Sequence, residues 1–254
     1  VTDALLTTLV EIRRRPRLIA PPSETARLSL AEAYAVQDRL RERLMAEGER
    51  VVGWKAGFTN AGLQKTYGVA EPVCGFLLGS GVLSSGAEVP VSRFSALVVE
   101  AEIAFVMRSD LAGPGVTPPR ALQAVEGALP ALELVDFRMT GKPGAADVVA
   151  DGVFASAIVV GAMLTPVVHL DLALEGLVYE LSGVRAATNT AAEVMDGPAN
   201  SLAWVANHLG GRGLGLRSGD IVMTGSVSAL LRPKAGDTVR ATYTRLGSVS
   251  ARFV

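Results

Sequence analysis

The sequence predicts an α+β fold: a helical N-terminal segment over residues 1–50, then a mixed-β domain over 51–254 whose sheet curls into a barrel-like roll. Three observations predict it. Helical periodicity with caps fills the first fifty residues. Strand signals then dominate to the end of the chain. Few long helical segments separate those strands, so the order argues against a doubly wound parallel sheet.

Taken in order, Leu5, Leu6, Leu9 and Ile12 place a helix over 3–14, ended by Pro16, Pro21 and Pro22. Ser29 followed by Glu32 is a capping-box pattern. It opens a helix over 30–47 with Ala33, Val36, Leu40 and Leu44 as the buried stripe and Gly48 as its stop. Residues 50–57 are apolar and glycine-rich around a single lysine, Lys55. A short helix is expected over 61–67, and a turn at 71–72 leads into the apolar run 73–78. A strand spans 98–106, a turn 111–115, a helix 119–127 and a second strand 131–135. The polar Gly/Pro-containing stretch 138–144 reads as a mobile lid, and 147–151 leads into a strand over 155–160. Further strands are expected at 167–174 and 177–181, a helix at 200–209, and closing strands at 216–224, 238–243 and 249–254, with no internal repeat.

Composition narrows the function. The chain has 254 residues, 49% hydrophobic and 19% charged, which is ample for a sizeable core. Aromatics make up only 5%, so that core is mainly Ala, Val and Leu. Net charge is -1 with no basic tract, which argues against nucleic acid or an anionic membrane as partner. Cys74 is the single cysteine, so no intramolecular disulfide is expected. No apolar run is long enough to cross a membrane and the first residues do not resemble a secretory signal, so a cytoplasmic location is expected. High apolar content favours a homo-oligomer.

The chemistry centres on Glu100-Ala101-Glu102. In a strand, residues two apart share a face, so both carboxylates project side by side from an apolar ribbon. A solvated acidic edge and a cation site both account for such a pair. If the pair is buried, a divalent cation with oxygen preference, Mg²⁺ or Mn²⁺, balances the repulsion. Glu133, in the apolar run Ala131-Leu132-Glu133-Leu134-Val135, is the natural third ligand. Lys55 is either a snorkelling strand residue or the partner of an anion. The segment Gly219-Asp220-Ile221-Val222-Met223-Thr224-Gly225-Ser226 offers backbone N–H groups to an anionic oxygen. No Gly-x-Ser-x-Gly elbow, Walker A or Gly-x-Gly-x-x-Gly sequence is present, and only two histidines occur, His169 and His208. Zinc is disfavoured because Cys and His are missing near the glutamates. A cation, a lysine and backbone donors suit a 2-oxo acid, whose enolate such groups stabilise.

Glu100-Ala101-Glu102-Ile103-Ala104-Phe105-Val106, Leu129-Pro130-Ala131-Leu132-Glu133, Gly53-Trp54-Lys55-Ala56-Gly57 and Gly219-Asp220-Ile221-Val222-Met223-Thr224-Gly225 together resemble the hydratase/decarboxylase family. That family, within the fumarylacetoacetate hydrolase superfamily, includes 2-oxopent-4-enoate hydratases and 4-oxalocrotonate decarboxylases. The resemblance runs from about Leu30 to Phe253. It implies the superfamily's mixed β-roll, a Mg²⁺ or Mn²⁺ ion on Glu100, Glu102 and Glu133, an active-site Lys55, homo-oligomers, and a place in aromatic meta-cleavage catabolism. The superfamily's hydrolases use an early histidine–glutamate pair; no histidine precedes His169 here, which disfavours that chemistry.

Departures from the family pattern bear on the reaction. Pro72-Val73-Cys74-Gly75-Phe76-Leu77 follows the decarboxylases, with Val73 where hydratases carry a proton-transferring Asp. Gly247-Ser248-Val249-Ser250 looks more like the hydratases. Ala150-Asp151-Gly152-Val153-Phe154 stands where both usually read Ala-Asp-Asn-Ala-Ser. The expected function is a metal-dependent lyase on 2-oxo or 2-hydroxydienoic acids, leaning to decarboxylation of a 4-oxalocrotonate-like diacid. Hydration with Glu71 as base is the rival, and a non-catalytic partner of a paralogous hydratase is the rival of another class. Lys55 is the expected catalytic residue. Gly75, Phe76, Lys142, Asp151, Thr224, Gly225 and Ser226 are the expected substrate contacts.

Overall fold

The computed structural model describes residues 3–25 and 27–254. The chain opens with α1 (Asp3–Arg14) and α2 (Leu30–Ala46). Then come β1 (Val51–Gly57), α3 (Ala61–Tyr67), β2 (Val73–Leu78), β3 (Val82–Ser84), β4 (Ala87–Val89) and β5 (Leu97–Met107). They are followed by α4 (Pro118–Gln123), β6 (Val125–Asp136), α5 (Ala145–Ala150), β7 (Ala155–Val160), β8 (Gly176–Leu181) and β9 (Val184–Thr190). Helix α6 (Pro198–Gly210) precedes β10 (Ile221–Ser226), β11 (Thr238–Tyr243) and β12 (Gly247–Phe253).

Among the described residues the strands form two mixed sheets. The larger has seven strands in the order β2-β1-β10-β5-β6-β7-β3, and the smaller five in the order β4-β12-β11-β8-β9. The larger sheet curls until β2 touches β7. Leu77, Ala104, Leu129, Ala131, Ile158 and Met223, from five different strands, fill the inside of the roll. The opposite face carries Val99, Ala101, Ile103, Phe105, Leu132 and Leu134. The five-stranded sheet covers that face through Tyr179, Val239, Ala241, Val249 and Phe253, all buried in the same core. Tyr179 Oη also donates to the Val99 carbonyl at 2.9 Å, tying the two sheets together. Alternating side chains make this two-sided burial possible: nearly every residue of β5 and β6 is inside.

The Ser29–Glu32 capping box forms as expected, with the hydroxyl accepting from the Glu32 N–H and the carboxylate accepting from Ser29. Helices α1 and α2 join the main core through Leu9, Ile12, Ala33, Val36 and Leu40. Helix α2 packs on α5, and α6 packs against β1 and β10.

Several expected boundaries shift. The helix expected over 119–127 is the shorter α4, and β6 already starts at Val125. Pro130 lies inside that strand opposite Ile103. It is tolerated because pairing with β7 begins only at Ala131. Residues 167–174 are not a strand: His169 adopts φ +67°, and the Asp171 side chain caps a short 3₁₀ turn by accepting the Ala173 N–H at 3.1 Å. The expected strand over 216–224 is really β10, starting at Ile221 after a turn. Strands β3, β4 and β9 were not expected.

Candidate active site

The site is built at one end of the roll. Glu100 and Glu102 point to its inner face, and the β5–β6 register sets Glu100 directly opposite Glu133. Like charges in that position repel. One carboxylate oxygen from each glutamate falls within 4.8 Å of the others. Glu102 and Glu133 are fully buried, and Glu100 is half-buried at the edge of a cavity. Lys55, on β1, reaches across the roll to place Nζ 2.8 Å from Glu133 Oε2. It is 4% exposed, so the pair is shut away from bulk water.

One ammonium against three carboxylates leaves two negative charges uncompensated. The protonation behaviour follows. Withdrawal from water raises the Glu100 carboxyl to about 7, with Lys55 opposing and Glu133 adding to the rise. Burial, and then the charge of Glu133, pushes Glu102 further up. Burial alone would lower Lys55; the charges of Glu133, Glu100 and Glu102 override it and hold the ammonium above its ordinary range. Glu102 Oε1 and Glu133 Oε1 are buried without a donor. Orphaned carboxylate oxygens converging on one point are the donor set of a hard divalent cation, and the three residues fit one.

Local backbone features complete the site. Strand β10 shifts register between Met223 and Ser226. In that irregularity Gly225 takes φ +113°, and its N–H donates to Glu102 Oε2 at 2.8 Å. A side chain at Gly225 would collide with Thr59. Across the roll, Gly152, Val153 and Phe154 take φ of +82°, +58° and +55°. The Val153 carbonyl then lies 3.4 Å from Lys55 Nζ. A β-branched residue is strained in this region of φ, so the turn needs support. Asp151 supplies it. Arg138 Nη1 donates to Asp151 Oδ2 at 2.7 Å, Arg13 Nη1 to Oδ1 at 3.2 Å, and Arg13 Nη2 to the Asp151 carbonyl. Arg138 also faces Asp136, which accepts the Ser95 and Ala96 N–H groups at 2.7 and 2.8 Å.

A cavity of about 520 Å³ opens from Lys55 and Glu100, walled by Phe58, Tyr67, Phe137, Val153, Phe154 and Leu230 among others. Of the expected substrate contacts, Ser226 lines it. The Gly225 N–H is committed to Glu102, and the Thr224 hydroxyl donates to the Ile103 carbonyl at 2.7 Å, so both support the glutamates from behind. Gly75 pairs with Lys55 and permits close approach of the strained turn, since a Cβ there would lie 2.5 Å from the Gly152 carbonyl oxygen. Phe76 is buried behind Gly152.

Asp151, Lys142, Glu71 and Val73 fall outside the cavity lining. Asp151 is buried between two arginines and outside the cavity lining, so it positions the turn. Lys142 is exposed and not a lining residue. Its segment is no free lid, because Arg138 is buried and residues Ile19 and Met139 pair as a bridge. Glu71 is exposed, lies outside the lining, and its Oε2 accepts the Trp204 Nε1–H at 3.2 Å. Val73 is fully buried in the core and lies outside the lining, so it does not form the pocket wall. The aromatic walls and the Arg13 clamp were not anticipated. Gly152 beside two bulky residues was the one sequence sign of the left-handed turn.

Comparison with known proteins decides the family. Residues 54–254 match the model described as fumarylacetoacetate (FAA) hydrolase C-terminal. The chain belongs to this family. A 4-oxalocrotonate decarboxylase from Pseudomonas sp. (strain CF600) is 35% identical over 89% of the chain and 86% of its own length. A 2-hydroxyhexa-2,4-dienoate hydratase from Comamonas testosteroni is 32% identical over 96% of the chain and 94% of its own length. The solved 4-oxalocrotonate decarboxylase of Pseudomonas putida G7, complexed with magnesium and adipate, superposes with a TM-score of 0.95 at 31% identity, covering 99% of this chain and 96% of that one. Family membership accounts for the mixed roll and for an acidic site at its end. It spans both decarboxylases and hydratases, so the reaction has to be argued from the cavity.

Proposed function

We propose that the protein is a divalent-metal-dependent lyase of aromatic meta-cleavage catabolism that acts on 2-oxo or 2-hydroxydienoic acids and favours decarboxylation. The observation that carries the reading is the buried triad Glu100, Glu102 and Glu133 with Lys55 at 2.8 Å, at the head of a cavity open to a small molecule. The three glutamates would hold Mg²⁺ or Mn²⁺. When bound, the ion supplies Lewis-acid polarisation of a 2-oxo acid. Lys55, protonated at neutral pH, faces the negative charge that develops when a carbon–carbon bond breaks and the electron pair runs into the conjugated 2-oxo system. It then holds the proton that the dienolate takes up. The Val153 carbonyl beside Nζ fixes where that ammonium points.

Decarboxylation is favoured over hydration because water addition needs a base within hydrogen-bond reach of the water. Outside the triad, Glu193 is the lone carboxylate among the lining residues, and it is exposed to solvent. Losing CO₂ needs an electron sink and a proton donor only. Similarity to a dienoate hydratase over 96% of the chain supports hydration as the second reading. The intact triad and lysine weigh against a non-catalytic partner subunit. Self-association is supported by Val178 and Val184, exposed apolar side chains on β8 and the edge strand β9.

The test is incubation with 4-oxalocrotonate and, separately, with 2-hydroxypenta-2,4-dienoate, following ultraviolet absorbance and CO₂ release with and without Mg²⁺. CO₂ release that requires the ion is the expected result. Efficient dienoate hydration with no CO₂ from 4-oxalocrotonate reverses the choice of reaction. No turnover of either compound removes the lyase reading.

A further inference from the structure

We propose that Ser228, with Asn189 and Thr59, holds the remote carboxylate of the diacid through neutral hydrogen-bond donors, and that these residues set the selection of a diacid for decarboxylation. The inference rests on the function proposed above and deepens it. It starts from a bulge beside the triad. The Val227 N–H donates to the Ala101 carbonyl and the Leu231 N–H to the Val99 carbonyl, both at 2.9 Å. Ser228, Ala229 and Leu230 are therefore set against the single residue Glu100 and bow out of the ladder. All three line the cavity, on the side of the one triad member that is only half-buried. The Ser226 hydroxyl donates to the Ser228 carbonyl at 2.7 Å and pins the bulge. The Ser228 hydroxyl itself is buried and has no partner within the chain. A buried hydroxyl without a partner is unfavourable until a ligand supplies one. Thr59 and Asn189 share the lining, and among the described residues no hydrogen bond engages either side chain. Asn60 gives its Oδ1 to the Leu63 N–H at 2.9 Å, which leaves its amide N–H groups as further donors. The rest of the wall is largely apolar, with Phe58, Tyr67, Phe137 and Phe154, so these few polar groups are what orients a ligand.

Charge explains why the donors are neutral. Among the described residues Lys55 is the sole cation of the lining, and it is engaged with Glu133. Arg232 stacks over Phe137, 5.6 Å from the ring centroid, and is not a lining residue. Glu193 stands exposed, where water and salt screen its charge. Such a wall suits a carboxylate that has to leave. In decarboxylation the bond between the remote carboxylate carbon and its neighbour breaks. Its electron pair runs into the conjugated 2-oxo system, CO₂ departs, and the dienolate takes up one proton. The tail therefore loses its negative charge on the way to the transition state. A guanidinium or ammonium placed there would stabilise the ground state more than the transition state and slow the step. Hydroxyl and amide donors replace the hydration of the carboxylate and orient the breaking bond, with less held back when the charge departs.

The experiment is calorimetric titration of the Mg²⁺-loaded full chain with pyruvate, 2-oxohexanoate and 2-oxoadipate. The last two have the same chain length and differ in a methyl group against a carboxylate. 2-Oxoadipate is expected to bind at least about tenfold more tightly than 2-oxohexanoate, as hydrogen bonds to a charged group allow. In Ser228→Ala that ratio is expected to fall at least about threefold while pyruvate affinity holds, which reports an intact fold and head site. Asn189→Ala, on the half-exposed edge strand β9, is expected to move the ratio in the same direction. Ser228→Lys is expected to tighten 2-oxoadipate and to slow single-turnover CO₂ release from 4-oxalocrotonate at least about tenfold. 2-Oxohexanoate binding as tightly as 2-oxoadipate, a ratio unchanged in Ser228→Ala, or CO₂ release no slower in Ser228→Lys overturns the proposal, while pyruvate binding leaves the lyase reading intact. Failure of pyruvate to bind the parent chain in the presence of Mg²⁺ overturns both.

Discussion

Glu102 has the most exacting surroundings of any side chain in the molecule: fully buried, beside two other carboxylates, with one oxygen on the Gly225 N–H and the other without a donor. In the metal-free protein burial, and then the charge of Glu133, shifts its pKa upward and favours the neutral acid. Glu102→Gln keeps the shape and removes a buried ionisable group, and is expected to leave the metal-free melting temperature at pH 7 undiminished. The amide is a far poorer ligand, so Mg²⁺ affinity by calorimetry should fall at least about tenfold, the lower end of what even supporting residues of a metal site contribute. Unchanged affinity would take the ion away from this strand. Lys55→Met keeps most of the apolar stem and removes the charge. Metal binding should survive, while single-turnover rates fall at least about a hundredfold, the lower range for positioned acid–base groups. At this scale much was legible: an i, i+2 pair of glutamates in an apolar strand, a third in a second apolar run, and a lone lysine among glycines. Pairing register was not legible, and it is register that sets Glu100 opposite Glu133. Val73 misled because one residue of strand offset decides whether a side chain meets the cavity or the core, while Glu71 sits exposed in the bend ahead of β2.

Two short elements turn those side chains into a site. One is the left-handed turn at residues 152–154, whose strain is held down by Asp151 between Arg13 and Arg138. Asp151→Asn removes the charge and leaves Arg13 and Arg138 with Asp136 as the one carboxylate still beside them. Breaking one side of a buried pair costs about 3–5 kcal/mol. Urea unfolding should register a loss of that order, and Lys55, deprived of a fixed Val153 carbonyl, should lose rate as well. A variant as stable as the parent would show that the turn is held by packing alone. The other element is the irregularity in β10. Gly225→Ala would strain φ +113° and press on Thr59, and the Glu102 hydrogen bond should be lost. The expected outcome is weakened metal binding with a small stability loss, read by calorimetry and thermal melts side by side. Element recognition from the sequence followed the strength of the local pattern. The capping box placed α2 correctly because Ser29 and Glu32 act over three residues. Strand β9 escaped notice because Arg185, Thr188 and Asn189 give it an exposed, polar character, and it is stabilised by pairing with β8. Residues 167–174 deceived in the opposite way, with β-branched residues whose backbone is turned by His169 and Asp171.

For the whole molecule, the acidic triad makes metal binding and folding one equilibrium. A mixed roll following a helical segment was readable from element order alone, but its closure was not, because β2 meets β7 only once the sheet has curled. That closure buries the triad, and burial sets the sign of the pH response. In the metal-free fold, Glu100 is raised to about 7 and Glu102 is raised too, while the same carboxyls in the unfolded chain titrate near about 4.3. Between these values the folded state binds more protons than the unfolded one, so the metal-free protein loses stability as pH rises through that window. A divalent cation reverses the term. It binds the ionised carboxylates, so binding releases protons and affinity grows with pH. At a free ion concentration of about 100 times Kd, the stabilisation is about 2.7 kcal/mol. For a chain of this size that corresponds to a melting shift of about 5–10 °C. Melting curves in Mg²⁺ and in chelator should therefore nearly coincide at pH 5 and separate by about that amount at pH 8, with the chelator curve moving down and the Mg²⁺ curve holding. A separation that is the same at both pH values would mean that the glutamates are ionised in the metal-free fold and that something other than a cation compensates their charge.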